Sequence, residues 1–280
     1  MNFVQRHAYG FGCGFAALFW PFFTKRRRIS VENILRAGIA ADEKGARRIA
    51  KTAFCHFAGH MCEALAAPGV ITKENWREHL DLGVANPQLV KTLLASPETP
   101  ILLVSGHHGC WEVATNILSL VRPMIAIARV MDSKILQNWM KKYHFRGPVT
   151  VISKNAGITK GILEQWRRER AAMTILMDQY AHKGACVTFF GRPAPTVTSA
   201  ARLAIRTGLP VVVGSFVRVA PYRYRLVGDE PIVFASDTDR NWAVQVLNDR
   251  LEKAIREYPE QYLWMHRRWR DDERDAVVHP

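Results

Sequence analysis

No stretch of this 280-residue chain holds the roughly 20 consecutive apolar residues that a bilayer-crossing helix needs. The nearest candidate, AYGFGCGFAALFWPFFT from Ala8 to Thr24, is short, interrupted by glycine and broken by Pro21. It lacks a small-residue cleavage site, and its charges follow rather than precede the apolar stretch, so it is not of signal-peptide type. Cysteine is sparse: Cys13, Cys55, Cys62, Cys110 and Cys186 form an odd set without CxxC spacing, which argues against a disulfide framework and for a reducing compartment. The GxSxG elbow of a serine hydrolase is absent, since Ser105 precedes the glycine in SGHHG, and so is the HExxH of a metallopeptidase. No internal repeat, low-complexity run or Ser/Gly-rich linker divides the chain. Negative charge is the minority, with 25 Asp and Glu against 39 Lys and Arg, a net +14. That excess implies a negative partner, whether nucleic acid, anionic lipid or an acidic protein, and does not choose among them.

What is present is organised by hydropathy. At 48% hydrophobic the chain can bury a sizeable core. Between Glu32 and Leu65 apolar residues recur at helical steps. That region contains CHFAGHMCE (Cys55 to Glu63), whose histidine and cysteine pairs fall on neighbouring faces, so a zinc site there would need ligands from elsewhere. Lys73 to Leu94 reads as short helices and loops. After Pro100, apolar or β-branched runs alternate with amphipathic helices: ILLVS (101–105), MIAIAR (124–129), VTVIS (149–153), MTILM (173–177), VTFF (187–190), VVVGSFVR (211–218) and YRYRLV (222–227). Helices fit at Trp111 to Leu120, Ser133 to Tyr143, Gly157 to Arg168, Val197 to Thr207 and Asn241 to Glu257. The expected fold is α/β, a mostly parallel mixed sheet flanked by helices, with ligands at the carboxyl ends of the strands. The expected division is an N-terminal hydrophobic and basic segment, 1–30, followed by one domain, 31–280.

SGHHGCWE, Arg129 and Asp178 all fall at strand ends. A histidine beside a carboxylate can take a proton from a hydroxyl, because the carboxylate fixes the ring tautomer and stabilises the imidazolium. Helical spacing favours His108 with Glu112, four residues apart. His107 is equally available if the helix begins only near Cys110, since it then lies in the turn before it. A polar turn with no chemistry is the third option, and spacing alone leaves all three open.

GHHGCWE resembles the His-x4-Glu/Asp motif of glycerolipid acyltransferases, and more narrowly that of the bacterial late acyltransferases of lipid A biosynthesis. Aligned on Glu112, the family's histidine is His107. Three further segments are similar in the same order. Ala128-Arg129 stands at the family's Tyr-Arg step, with alanine for tyrosine; MDQYAHKGACVTFFGRPAPT (Met177 to Thr196) matches its Asp-Gln and Phe-Phe-Gly-x-Pro-Ala segment; PEQYLWMHRRWR (Pro259 to Arg270) matches its C-terminal motif almost letter for letter. HFRGPVTVI makes Arg146 the candidate for a second active-site cation. The departures are His108, where the family usually carries an aromatic or apolar residue, Cys110, where asparagine is common, and the short N-terminal apolar segment.

The resemblance implies an acyltransferase that moves a fatty acyl chain from a thioester, on acyl carrier protein or CoA, to a hydroxyl of a lipid A precursor, with no other cofactor and no metal. His107 would be the base and Glu112 the residue that orients its ring; backbone N–H groups near the start of the Cys110 helix, or an arginine, would stabilise the oxyanion. Arg129, Arg146, Asp178 and Gln179 are expected to bind substrate, with Asp178 ordering the cations. Phe189, Phe190, Gly191 and Pro193 shape an acyl channel or simply form a buried strand and turn. Arg202, Arg206, Arg267, Arg268 and Arg270 face the carrier protein or lipid phosphates. The uncharged aromatic run beside KRRR (Lys25 to Arg28) suits attachment to the cytoplasmic face of the bacterial inner membrane, peripherally or by a single N-terminal anchor, against the alternative of a helix packed on the domain. The chain is expected to be monomeric and not to bind nucleic acid. Other enzymatic and non-enzymatic options are an acyl-CoA-dependent transferase acting on another glycolipid or phospholipid, and a catalytically silent lipid-binding protein.

Overall fold

The computed structural model describes residues 1–82, 85–95, 98–128, 147–153 and 157–270. In chain order the elements are α1 (Phe3–Phe19), α2 (Thr24–Arg36), α3 (Glu43–Ala66), β1 (Leu80–Asp81), α4 (Pro87–Leu94), β2 (Ile101–Ser105), α5 (Trp111–Ser119), β3 (Met124–Ala128), β4 (Val149–Ser153), α6 (Lys160–Arg168), β5 (Ala172–Leu176), β6 (Ala185–Phe189), β7 (Arg192–Thr196), α7 (Ser199–Thr207), β8 (Val211–Ala220), β9 (Arg223–Gly228) and α8 (Arg240–Glu257). Among the described residues seven strands form one sheet in the order β1-β9-β8-β2-β5-β3-β4. Every neighbouring pair is parallel except β8 with β9. The expected mostly parallel mixed sheet is therefore present. The helix placed at Ser133 to Tyr143 lies outside the described residues.

All five residues of β2 are buried, as a strand covered on both faces requires. Side chains alternate between the faces. Leu102 and Val104 enter a core made with α2, α3, α6, α7 and α8, whereas Ile101 and Leu103 enter a second core with α4 and α5. Burying each such side chain contributes about 1.5–3 kcal/mol, so the central strand is held from both sides.

VTFF departs from expectation. It is not part of the sheet: among the described residues β6 pairs with β7 alone, in a separate two-stranded antiparallel hairpin. Its burial alternates strictly, with Ala185, Val187 and Phe189 inside and Cys186 and Thr188 outside, the signature of a strand covered on one face. The hairpin turns at Phe190 and Gly191, both with positive φ (53° and 69°), the geometry of a tight two-residue hairpin loop.

At the N-terminus, α1 lies along α3. Its buried stripe is Ala8, Gly12 and Ala16, and Gly12 is the contact point, because a Cβ there would stand 2.4 Å from the Ala58 carbonyl oxygen. The adjacent stripe of α1 and the turn after it expose Val4, Phe11, Phe15, Leu18 and Phe22. Among the described residues no helix is long and apolar enough to cross a membrane.

Candidate active site

The pairing of β2 with β5 brings the site together. Their register ends with Ser105 opposite Leu176, and two more residues along each strand put His107 opposite Asp178. The Asp178 carboxylate grips His107 twice: Oδ1 is 2.9 Å from ring Nδ1, and Oδ2 accepts the His107 backbone N–H at 2.9 Å. Tyr262 is buried beside the same carboxylate, and burial first, then the Asp178 charge, push its hydroxyl well above the usual value. Burial would raise the Asp178 carboxyl, but the charge and hydrogen bonds of His107 outweigh it and hold the group at about 2. An ionised carboxylate only accepts, so the shared proton sits on Nδ1 and the lone pair of the neutral ring is on Nε2. That nitrogen faces the Gln179 side-chain amide at 3.4 Å, and the Trp111 ring meets the imidazole edge-on at 5.2 Å. His107 is 20% exposed and Asp178 3%, so the ring reaches solvent while its partner does not.

The sequence pointed to Glu112 as the residue orienting the ring. In the structure the partner of Nδ1 is Asp178, which had been assigned to a cationic cluster. Glu112 lies in the first turn of α5, half-buried. Arg129 and Arg146 lie outside the described residues.

His108 points the other way and is 1% exposed. Its Nε2–H donates to the Tyr258 carbonyl at 3.1 Å, its backbone bridges to Tyr262, and burial pushes its pKa down to about 4. It is a neutral histidine that fastens the C-terminal segment. Gly109 then reverses the chain at φ 65°, and a Cβ there would stand 2.2 Å from the Phe216 carbonyl oxygen. No other residue fits that position without moving β8. The Gly109 N–H is bonded to the Gln261 carbonyl (2.9 Å) and the Cys110 N–H to the Phe216 carbonyl (2.7 Å). Those two amides are therefore not available to an oxyanion.

Two residues that sequence reasoning had not placed support this turn from behind. His56 of α3 donates Nε2–H to the Gly109 carbonyl (3.3 Å) and accepts from the Tyr9 hydroxyl on Nδ1 (3.2 Å), which joins α1, α3 and the turn. Burial holds it at about 4, hence neutral. Nearby, the buried Glu63 pairs with Arg218 at 2.9 Å and accepts from the Tyr224 hydroxyl at 2.6 Å. CHFAGHMCE thus supplies structural props, and among the described residues no three His, Cys, Asp or Glu side chains are grouped to hold a metal ion.

The C-terminal PEQYLWMHRRWR is a strap over the site rather than a basic surface. Leu263 N–H donates to the His107 carbonyl (3.0 Å), and Asn33 of α2 donates to the Trp264 and His266 carbonyls (both 2.8 Å). Arg268, expected to face a partner, is 2% exposed and donates to the Pro195 carbonyl (2.7 Å) and the Gln179 carbonyl (3.4 Å). Arg202, Arg206, Arg267 and Arg270 are exposed. Phe189 and Phe190 are buried against Tyr262, Trp264 and Trp269 of the strap, so they form packing and not the rim of a channel.

A sequence-family model described as bacterial lipid A biosynthesis acyltransferase matches residues 3–271. The chain is 27% identical over 173 residues to a lipid A biosynthesis palmitoleoyltransferase of Escherichia coli (strain K12) and, equally, to a lipid A biosynthesis acyltransferase of Shigella flexneri. The aligned stretch covers 61% of this chain and 56% of each relative, so it spans a little over half their length.

Proposed function

The chain belongs to the bacterial lipid A biosynthesis acyltransferase family, and from that premise we propose that it transfers a fatty acyl chain from a thioester to a hydroxyl of a lipid A precursor, with His107 as general base. The observation that carries the proposal is the contact between His107 Nδ1 and Asp178 at the carboxyl end of two paired parallel strands. It leaves Nε2 free of its proton and the ring locked in place. Nε2 takes the proton of the acceptor hydroxyl, and the oxygen attacks the thioester carbonyl. The tetrahedral adduct collapses with breakage of the C–S bond, and the thiolate leaves with the proton that Nε2 returns. No acyl-enzyme forms. Asp178 stabilises the imidazolium, Gln179 binds the incoming hydroxyl beside Nε2, and Glu112 is the second carboxylate of the site. Arg129 and Arg146 are assigned to substrate phosphate.

The donor is acyl carrier protein, whose acidity matches a chain of net charge +14. The protein works as a monomer at the cytoplasmic face of the inner membrane. There the exposed stripe of α1 enters the lipid interface and Lys25, Arg26, Arg27 and Arg28 meet anionic headgroups.

Mass spectrometry of lipids from cells lacking the protein tests the proposal. Lipid A missing one acyl chain is the expected result. Unchanged lipid A together with loss of a chain from another glycolipid would assign the activity to a different acceptor.

A further inference from the structure

The proposed reaction puts negative charge on the thioester carbonyl oxygen, and a donor must meet it. Three of the backbone groups beside the base cannot: the N–H groups of His107, Gly109 and Cys110 already bond Asp178, Gln261 and Phe216. We propose that His266 is a further catalytic residue, donating a hydrogen bond from its ring Nε2–H to that oxyanion.

The strap delivers His266 to the site. Three residues before it, Leu263 is bonded to the His107 carbonyl, and the His266 N–H turns back towards the Leu263 carbonyl at 3.5 Å. Its own carbonyl is anchored by the Asn33 amide at 2.8 Å, and the preceding Met265 carbonyl by Arg26 at 3.1 Å. The ring is half-buried and lies within the fields of His107, Asp178, Arg268 and Arg270. Nδ1 is buried without a hydrogen-bond partner among the described residues. A buried N–H without an acceptor is costlier than a buried lone pair, so the proton belongs on Nε2. Burial outweighs the opposing pull of the Asp178 charge and, with the cationic neighbours adding to it, keeps the ring neutral with a pKa of about 4. A neutral imidazole held in this way can polarise a carbonyl without giving up its proton. It does not compete with His107 as a base, because a group with a pKa of about 4 has little affinity for a proton at neutral pH. Gln179, at 3.4 Å from His107 Nε2, flanks the base.

This inference rests on the proposed acyl transfer. The test compares His266→Phe, which keeps ring volume but has no donor, with His266→Gln, which restores an N–H, using acyl carrier protein loaded with a fatty acyl thioester and a phosphorylated glucosamine disaccharide lipid as acceptor. The expected result is a kcat lowered about 10²–10³-fold in the Phe variant, with KM within about 3-fold, and at least about 10-fold recovery in the Gln variant. Both variants should keep the wild-type melting temperature to within a few degrees. The inference is overturned by a Phe variant within about 5-fold of wild-type kcat, by a rise in KM alone, or by losses in both variants that follow a fall in melting temperature. A wild-type protein inactive on these substrates removes the proposed function and this inference together; an active wild type with an equally active Phe variant removes only the inference.

Discussion

Replacing Asp178 with asparagine removes one charge and one acceptor from the heart of the site with almost no change in volume. Two donors converge on this side chain, the ring Nδ1–H and the backbone N–H of His107. A carboxylate satisfies both, whereas an amide has a single oxygen. Asparagine must leave one donor unpaired or turn its NH2 towards the ring, which moves the imidazole proton to Nε2 and disables the base. The charge matters as well. Against the upward push of burial, the charge and hydrogen bonds of His107 hold the carboxyl at about 2, so its ionised form is preferred when it faces a charged imidazole. That is the state His107 enters on taking the substrate proton. Losing this charge together with the correct tautomer should lower kcat by about 10²–10⁴-fold. The assay is steady-state acyl transfer with purified protein, alongside Glu112→Gln. The reasoning fails if Asp178→Asn stays within about 5-fold of wild type, or if Glu112→Gln is the more damaging, which would make Glu112 the ring's orienting partner. A second signature is in stability. A depressed carboxyl contributes stability that is complete above about pH 4 and is lost as pH falls through about 2, so the variant's unfolding free energy should depend less on pH across that window.

His56 and His108 are held neutral at about 4 while the unfolded chain takes up protons near 6.5, so each should cost stability, on the order of 3 kcal/mol, as pH falls from 6.5 to 4. His108→Gln should flatten the melting-temperature profile over that range, and an unchanged slope would mean the buried ring is not neutral. Gly109→Ala forces an L side chain into positive φ against the Phe216 carbonyl, and a loss of about 3 kcal/mol or more by denaturant unfolding is expected. Changing Phe11, Phe15 and Leu18 together to serine should weaken binding to vesicles containing anionic lipid by at least about 10-fold while leaving the melting temperature nearly unchanged, because all three are exposed. Equal vesicle binding by this variant would remove α1 from the membrane contact.

The parallel sheet was legible because its strands are short, β-branched and buried on both faces, a pattern that hairpins facing water do not produce. VTFF misled for the opposite reason: the alternation that marks a one-faced strand is hidden when Phe190, in the turn, is also apolar. The choice of His107 came from motif order. Its contact with Asp178 was not legible because the two residues are 71 positions apart and meet through the β2–β5 register, which local spacing does not encode. A signal was nevertheless present, since both lie just past the ends of apolar runs, where a parallel sheet collects its polar groups. In PEQYLWMHRRWR, interleaved aromatics and cations look the same whether they face solvent or strap the site. Only the carbonyls of Ala194, Pro195 and Gln179 that the buried Arg268 meets decide the matter.

The central claim, that His107 and not its neighbour is the base, is tested most directly by the acyl-transfer rates of purified His107→Ala and His108→Ala, each normalised to folded protein. The account predicts that His107→Ala loses about 10³-fold or more in kcat with its melting temperature little changed. His108→Ala should melt earlier yet transfer acyl chains at close to the wild-type rate per folded molecule. The reverse ranking, with His108→Ala inactive while folded and His107→Ala active, would contradict it.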